Sequence, residues 1–168
     1  YAGARLASAR IHFMPLLREN NFLPDFDAIS DDIADQAKMM WLSYPNNPTG
    51  AIAELDFFDR AIEFAKKHEI VIVHDAPYTD LTFDGFVAPS ILQAKGAREV
   101  AIEFNSLSKT YNMAGWRVGM AVGNADIIKY LARYKSQIDT SMFIPVMEAA
   151  EVALTSDQSW IADRNKIY

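Results

Sequence analysis

Apolar residues recur along the chain with two periods, and the alternation between them lays out strands and helices in turn. Leu55, Phe58, Ile62 and Ala65 fall three or four apart, which predicts an amphipathic helix over residues 54–67. The run that follows, Ile70-Val71-Ile72-Val73-His74, is apolar and β-branched almost throughout, as in a parallel strand covered on both faces. Upstream, residues 39–44 predict a strand that stops at the proline-rich Pro45-Asn46-Asn47-Pro48. Downstream, Glu99-Val100-Ala101-Ile102-Glu103-Phe104 alternates with period two, so a strand with one wetter face is expected there, and residues 116–122 predict another. Asn124 is placed to cap a helix whose Ile127, Leu131, Tyr134 and Ile138 share one face. A further helix is predicted from about Pro145 to Leu154, with the proline in the tolerated first turn. Near the start, residues 11–16 predict a short strand, residues 22–26 a turn-rich connection, and Ser30 the cap of a short helix running to Lys38. The fold class that follows is α/β, a mostly parallel sheet flanked by helices, without internal repeat or linker.

Composition narrows the class. Half of the 168 residues are hydrophobic (51%) and charge is mixed, which suits a globular domain with a real core. A net charge of −6 with no lysine or arginine cluster argues against a nucleic-acid partner. The absence of cysteine excludes a disulfide framework and a thiolate metal site. His12, His68 and His74 lack metal-ligand spacing. His68, at a helix end, is expected to be solvated, and His74 to face the core as a supporting residue. No apolar run has membrane-spanning length and no signal-peptide layout opens the chain, so a cytoplasmic protein without a membrane partner is expected. The chain opens on Tyr1 rather than methionine and stops at Tyr168 inside the amphipathic run 160–168, without a glycine or proline stop, so an excerpt of a longer chain is expected.

Candidate chemistry concentrates in Ser106-Leu107-Ser108-Lys109-Thr110-Tyr111-Asn112-Met113-Ala114-Gly115-Trp116-Arg117. A lysine amine can form an imine with an aldehyde carbon, while serine hydroxyls and an arginine fork can bind a phosphate. The run therefore suits a phosphorylated aldehyde, although a solvated lysine and a structural arginine would satisfy it equally well. Two other runs change that balance. Tyr44-Pro45-Asn46-Asn47-Pro48-Thr49-Gly50 follows one predicted strand, and Asp75-Ala76-Pro77-Tyr78 ends another. In open α/β sheets ligands gather beyond the carboxyl ends of the strands, so all three runs can converge there.

In this order, the three runs resemble the fold-type I, class I/II aminotransferase family, which depends on pyridoxal 5'-phosphate. The resemblance covers nearly the whole chain as the central part of the large cofactor-binding domain. Arg5-Leu6-Ala7, Phe22-Leu23-Pro24-Asp25 and Ser141-Met142-Phe143 are similar to the branch that holds LL-diaminopimelate and alanine aminotransferases.

The resemblance implies a role for each site residue. Lys109 is the Schiff-base residue and then the general base that moves a proton from the substrate Cα, which requires a neutral amine. Asp75 would hold the cofactor's ring nitrogen protonated, where the alternative is a turn-forming aspartate. Asn47 and Tyr78 would donate to its phenolic oxygen; read alone they are a turn residue before proline and a half-buried aromatic. Ser106, Ser108 and Arg117 match the family's phosphate-binding positions, with a backbone bond as the alternative for Ser108. Gly115 and Gly119 suit a tight turn into a strand. The Asn47–Pro48 peptide is expected to be cis. The Met142-Phe143-Ile144 and Val146-Met147 cluster reads as core or subunit interface.

The resemblance further implies amino transfer from an amino acid to a 2-oxo acid by a homodimer. It places an upstream helix N-terminus for the phosphate and a ring-stacking aromatic before Tyr1, and the arginine for the substrate carboxylate after Tyr168. The 168-residue chain by itself is thus expected to hold the cofactor weakly and to be inactive. A pyridoxal-phosphate-dependent carbon–sulfur β-lyase and a non-catalytic module of the same fold are the two alternatives.

Overall fold

The computed structural model describes residues 2–168. Four strands, β1 (Met39–Ser43), β2 (Val71–Asp75), β3 (Ala101–Ser106) and β4 (Gly119–Gly123), form one sheet in sequence order. β1, β2 and β3 are parallel, and β4 returns antiparallel to β3. Eight helices accompany them among the described residues: α1 (Ala2–Leu6), α2 (Asp31–Ala34), α3 (Leu55–Lys67), α4 (Ala97–Val100), α5 (Leu107–Thr110), α6 (Ala125–Ile138), α7 (Ile144–Thr155) and α8 (Trp160–Ile167). The mostly parallel α/β expectation holds. No helix among the described residues is long and apolar enough to cross a membrane.

Parallel neighbours need a crossover, and α3 supplies the one from β1 to β2. Its stripe Phe57, Phe58, Ala61, Ile62 and Ala65 is buried in one cluster with Met40, Leu42 and Ile72 of the sheet. Full burial of each large side chain there contributes roughly 1.5–3 kcal/mol. Phe57 sits at the centre of an aromatic group, with ring centroids 5.4 Å from Phe26, 5.4 Å from Tyr44 and 5.7 Å from Phe58. The opposite face is thinner. Trp41 stacks on Phe104 at 6.4 Å yet stays 57% exposed, and Val71 is only half-buried, so β2 is not covered evenly on both sides.

Several expectations need correction. Residues 11–16 form no strand; they run as irregular chain with no sheet partner. The helix after Ser30 ends at Ala34, and the Ser30 side chain makes no capping bond. Asp35, just beyond it, faces His68, whose Nδ1 lies 2.7 Å from its Oδ1. His68 is consequently buried rather than solvated, against the Phe64 ring at 4.8 Å. Gly96, at φ +80°, opens the helical turn α4 over Glu99, so β3 begins two residues later than the alternation suggests. Glu103, assigned to a wetter face, is 4% exposed. Trp116 lies in a 3₁₀ turn ahead of β4.

The expected cap of α6 is present: Asn124 Oδ1 accepts from the backbone N–H groups of Asp126 and Ile127, each at 3.0 Å. Along the predicted face of α6, Ile127 and Leu131 are half-buried while Tyr134 and Ile138 are exposed. A second core cluster joins Leu107, Met113 and Val118 to Ala150 of α7, with Met142 and Val146 packed on it. Phe143, Ile144 and Met147 stay exposed, so only part of that apolar run is core.

Candidate functional site

Ser43, Asp75 and Phe104 are register partners, so the parallel strands finish level and the three runs leave from one edge of the sheet. After β1 the chain turns through two cis peptides, the expected Asn47–Pro48 and also Tyr44–Pro45. Asn46 braces this loop: its Nδ2 donates to the Ser43 carbonyl at 3.1 Å, and its Oδ1 accepts from the Thr49 hydroxyl at 2.7 Å. The result is an asparagine held outward. Asn47 Nδ2 donates to the Tyr78 hydroxyl at 3.1 Å, and Lys109 Nζ lies 5.6 Å from the centre of the Tyr78 ring. Residues 31 apart in sequence on either side of Tyr78 thus meet at one point. Asn47 and Tyr78 also line a cleft of about 550 Å³ with Leu81, Phe83 and Phe86.

That contact leaves Tyr78 its own hydroxyl hydrogen, and Asn47 a second N–H, for a third acceptor. Asp75 has its carboxyl pushed up by burial, with the neighbouring His74 acting in the opposite direction.

Lys109 sits in α5, a single turn fixed at both ends. The Ser106 hydroxyl accepts from the Ser108 backbone N–H at 3.2 Å, and Leu107 and Thr110 are buried. It is Ser106, then, whose hydroxyl engages backbone, whereas that alternative had been raised for Ser108. Thr110 Oγ1 donates to Asp80 at 2.9 Å. From α8, Arg164 donates to the Lys109 carbonyl at 3.2 Å, to the Thr110 carbonyl, and to the Asp80 carbonyl at 2.8 Å. Its guanidinium lies 5.6 Å over the Trp160 ring. Asn165 Nδ2 reaches the same Asp80 carbonyl at 2.8 Å, and Tyr111 donates to Gln158 at 2.8 Å. Arg164 and Asn165 of α8, with Gln158 just ahead of that helix, clamp the lysine turn, and sequence reasoning missed all three. The only available signal was a lone arginine in an amphipathic run.

The structure brings the phosphate set together less fully. Arg117 takes a left-handed conformation at φ +54° and donates to the Ala114 carbonyl at 3.0 Å, making no hydrogen bond to Ser106 or Ser108. Gly119, facing Ser106 across the β3–β4 pair, is required: a Cβ there would stand 2.7 Å from the Asn105 carbonyl oxygen. Gly115 has open space around it, so crowding does not demand a glycine at that position.

Fold and site together define the class, and this chain belongs to the class I and II aminotransferase family, whose description matches residues 1–167. It is 52% identical over 166 residues to the LL-diaminopimelate aminotransferase of Moorella thermoacetica, covering 99% of this chain and 43% of that protein. It is 46% identical to the L-glutamine–4-(methylsulfanyl)-2-oxobutanoate aminotransferase of Bacillus subtilis, covering 100% of this chain and 42% of that one. Among solved structures, substrate-bound BacF of Bacillus subtilis superimposes with a TM-score of 0.96 at 41% identity, over 99% of this chain and 42% of its own. The aminotransferase of Staphylococcus aureus gives a TM-score of 0.93 at 39% identity, over 99% and 44%. The chain therefore spans a little over two-fifths of the length of the relatives it matches.

Proposed function

We propose that the chain is the central portion of the large cofactor-binding domain of a pyridoxal 5'-phosphate-dependent aminotransferase, which moves an amino group from an amino acid to a 2-oxo acid. The observation that carries this reading is the meeting of Asn47, Tyr78 and Lys109 at the sheet edge where Asp75 ends β2. The donor set fits the cofactor: an amine for its aldehyde, a phenol and an amide for its anionic oxygen, a carboxylate for its ring nitrogen, and hydroxyls with a guanidinium for its phosphate. When bound, pyridoxal 5'-phosphate supplies an electron sink for the pair left behind as a proton leaves the substrate Cα.

The chain's own residues do the rest. Lys109 would be the attachment point, and its Nζ would serve as the base that takes the substrate Cα proton and hands it on to the cofactor's aldehyde-derived carbon. Asp75, ionised, would keep a proton on the ring nitrogen, and Tyr78 with Asn47 would favour the anionic form of the cofactor's phenolic oxygen by donating to it. Ser106, Ser108 and Arg117 would bind the phosphate. The names of its relatives make LL-diaminopimelate the first amino acid to try. A cytoplasmic homodimer is the assembly we propose.

Titration with pyridoxal 5'-phosphate tests the reading, using a polypeptide that carries this chain at the length of its relatives. A visible absorption band is expected, lost in Lys109→Ala, together with keto-acid-dependent amino transfer. Release of pyruvate and ammonia from cystathionine without amino transfer would replace this reading with a β-lyase. No band at all would favour a non-catalytic module.

A further inference from the structure

His74 stands immediately before Asp75 on β2, and successive strand side chains point to opposite faces. The His74 ring lies in the core, at 0% exposure, edge-on to the Phe58 ring of α3 at 4.8 Å. Its Nδ1 is 3.1 Å from Glu103 Oε2 on β3, and its Nε2 is 3.0 Å from the Tyr44 carbonyl oxygen at the end of β1. The Tyr44 carbonyl carries no hydrogen, so it can only accept. Glu103 is filled with donors as well. Its Oε2 receives the Ser90 hydroxyl at 2.9 Å and the Ile91 backbone N–H at 3.0 Å, and its Oε1 receives Asn105 Nδ2 at 2.9 Å. The Ser90 oxygen meanwhile accepts the Leu92 backbone N–H at 3.1 Å, which leaves its hydrogen for Glu103.

These donors occupy Oε2, the oxygen that faces the ring, so a carboxyl hydrogen on Glu103 could sit only on Oε1, away from His74. A neutral imidazole has one N–H and one lone pair. In this site the lone pair would face either the carboxylate or the carbonyl oxygen, beyond the reach of water. Only the doubly protonated ring satisfies both neighbours, and no buried side-chain polar atom among the described residues lacks a partner.

We infer that His74 is a buried imidazolium paired with Glu103, and that it is a positioning residue: it ties the strand ends bearing Asn47 and Lys109 to the one bearing Asp75 and sets a positive charge beside the Asp75 carboxyl. The last part rests on the cofactor role proposed for Asp75. The charged group that faces His74 is Glu103 across the sheet, with Asp75 its neighbour along the strand on the opposite face; α3 presents the Phe58 ring, and the Tyr44 end of β1 a carbonyl. Burial raises Asp75, and the positive ring one residue away opposes that rise. Glu103 is also pushed up by burial, but hydrogen bonds from His74, Asn105 and Ser90, with the His74 charge, bring it to a net value below the ordinary 4.5.

Nitrogen NMR of the histidine rings in the cofactor-free chain tests the imidazolium, and with three histidines the signals are few. Near neutral pH, His74 is expected to show the matched nitrogen shifts of a doubly protonated ring, with both N–H hydrogens slow to exchange. In Glu103→Gln the pair should become unequal, as in a neutral ring. An unequal pair in the unmodified chain overturns the proposal, whether or not any variant folds. The positioning role is read from the carboxyl-carbon titration of Asp75 in the unmodified chain and in His74→Gln, which keeps a donor for the Tyr44 carbonyl. The Asp75 midpoint is expected to move up in the variant; an unmoved midpoint refutes the electrostatic role. None of these readouts involves the cofactor, so a failure of the aminotransferase reading would leave them standing, and their failure would leave that reading intact.

Discussion

Arg164 places a permanent positive charge at 7% exposure and spends its donors on the carbonyls of Lys109, Thr110 and Asp80. An alanine there strips the Thr110 carbonyl of its donor in a poorly hydrated place and weakens the pairing of the other two, of which Asp80 keeps Asn165; a buried unsatisfied group costs about 1–3 kcal/mol. Arg164→Ala is therefore expected to lower the unfolding free energy by roughly 2–4 kcal/mol in urea melts, with the lysine turn loosened as well. A change within about 0.5 kcal/mol, as is usual for surface positions, would mean the clamp does not hold the turn. Tyr78 works by a single hydrogen. Tyr78→Phe removes one hydrogen bond, worth about 0.5–1.5 kcal/mol, so pyridoxal 5'-phosphate should bind up to about tenfold more weakly, measured by the visible-band titration. Glu103 has a pH signature. Its folded value lies below 4.5, so its stabilising contribution is fully present above 4.5 and is lost as pH falls through the depressed value. Unfolding melts across the acid range should show a shallower loss of stability in Glu103→Gln. Asp75 has the opposite sign, since burial raises it and its ionisation costs stability as pH rises past 3.8.

Among the elements, α3 fixes the sheet from one side, and Phe57 is the point where helix, β1 and the Phe26 loop meet. Phe57→Ala is expected to cost about 3–5 kcal/mol by equilibrium denaturation, the range for emptying a buried aromatic site. A loss under about 1 kcal/mol would show that the group repacks freely. Elements of this kind were legible in the sequence because their period is local: α3, β1, β2 and the Asn124 cap of α6 all stand where the pattern put them. Residues 11–16 misled because a strand needs a neighbour and none lies beside them. The early start assigned to β3 failed for a different reason, the positive φ of Gly96 that winds the next four residues into a turn. The site divides in the same way. Lys109, Asp75, Tyr78 and Asn47 lie within short runs that carry their own meaning. Arg164 does not, because its partners are 54 and 84 residues away, and the burial of Glu103 depends on a histidine 29 residues upstream.

At the scale of the whole molecule, the level strand ends make the site: three segments distant in sequence are delivered to one sheet edge, and α8 closes behind the lysine turn. Exposed apolar side chains, among them Trp41, Tyr130 and Tyr134, lie on the outer faces of the same sheet and of α6. Relatives that match this chain are more than twice as long, so the aminotransferase activity proposed belongs to the longer polypeptide. The claim on which the rest depends is that Lys109 is where pyridoxal 5'-phosphate attaches. The direct measurement is borohydride reduction of the cofactor-loaded protein, followed by peptide mass spectrometry. A reduced pyridoxyl adduct is expected on Lys109 and on no other lysine. An adduct spread over surface lysines, or one that persists in Lys109→Ala, would contradict it.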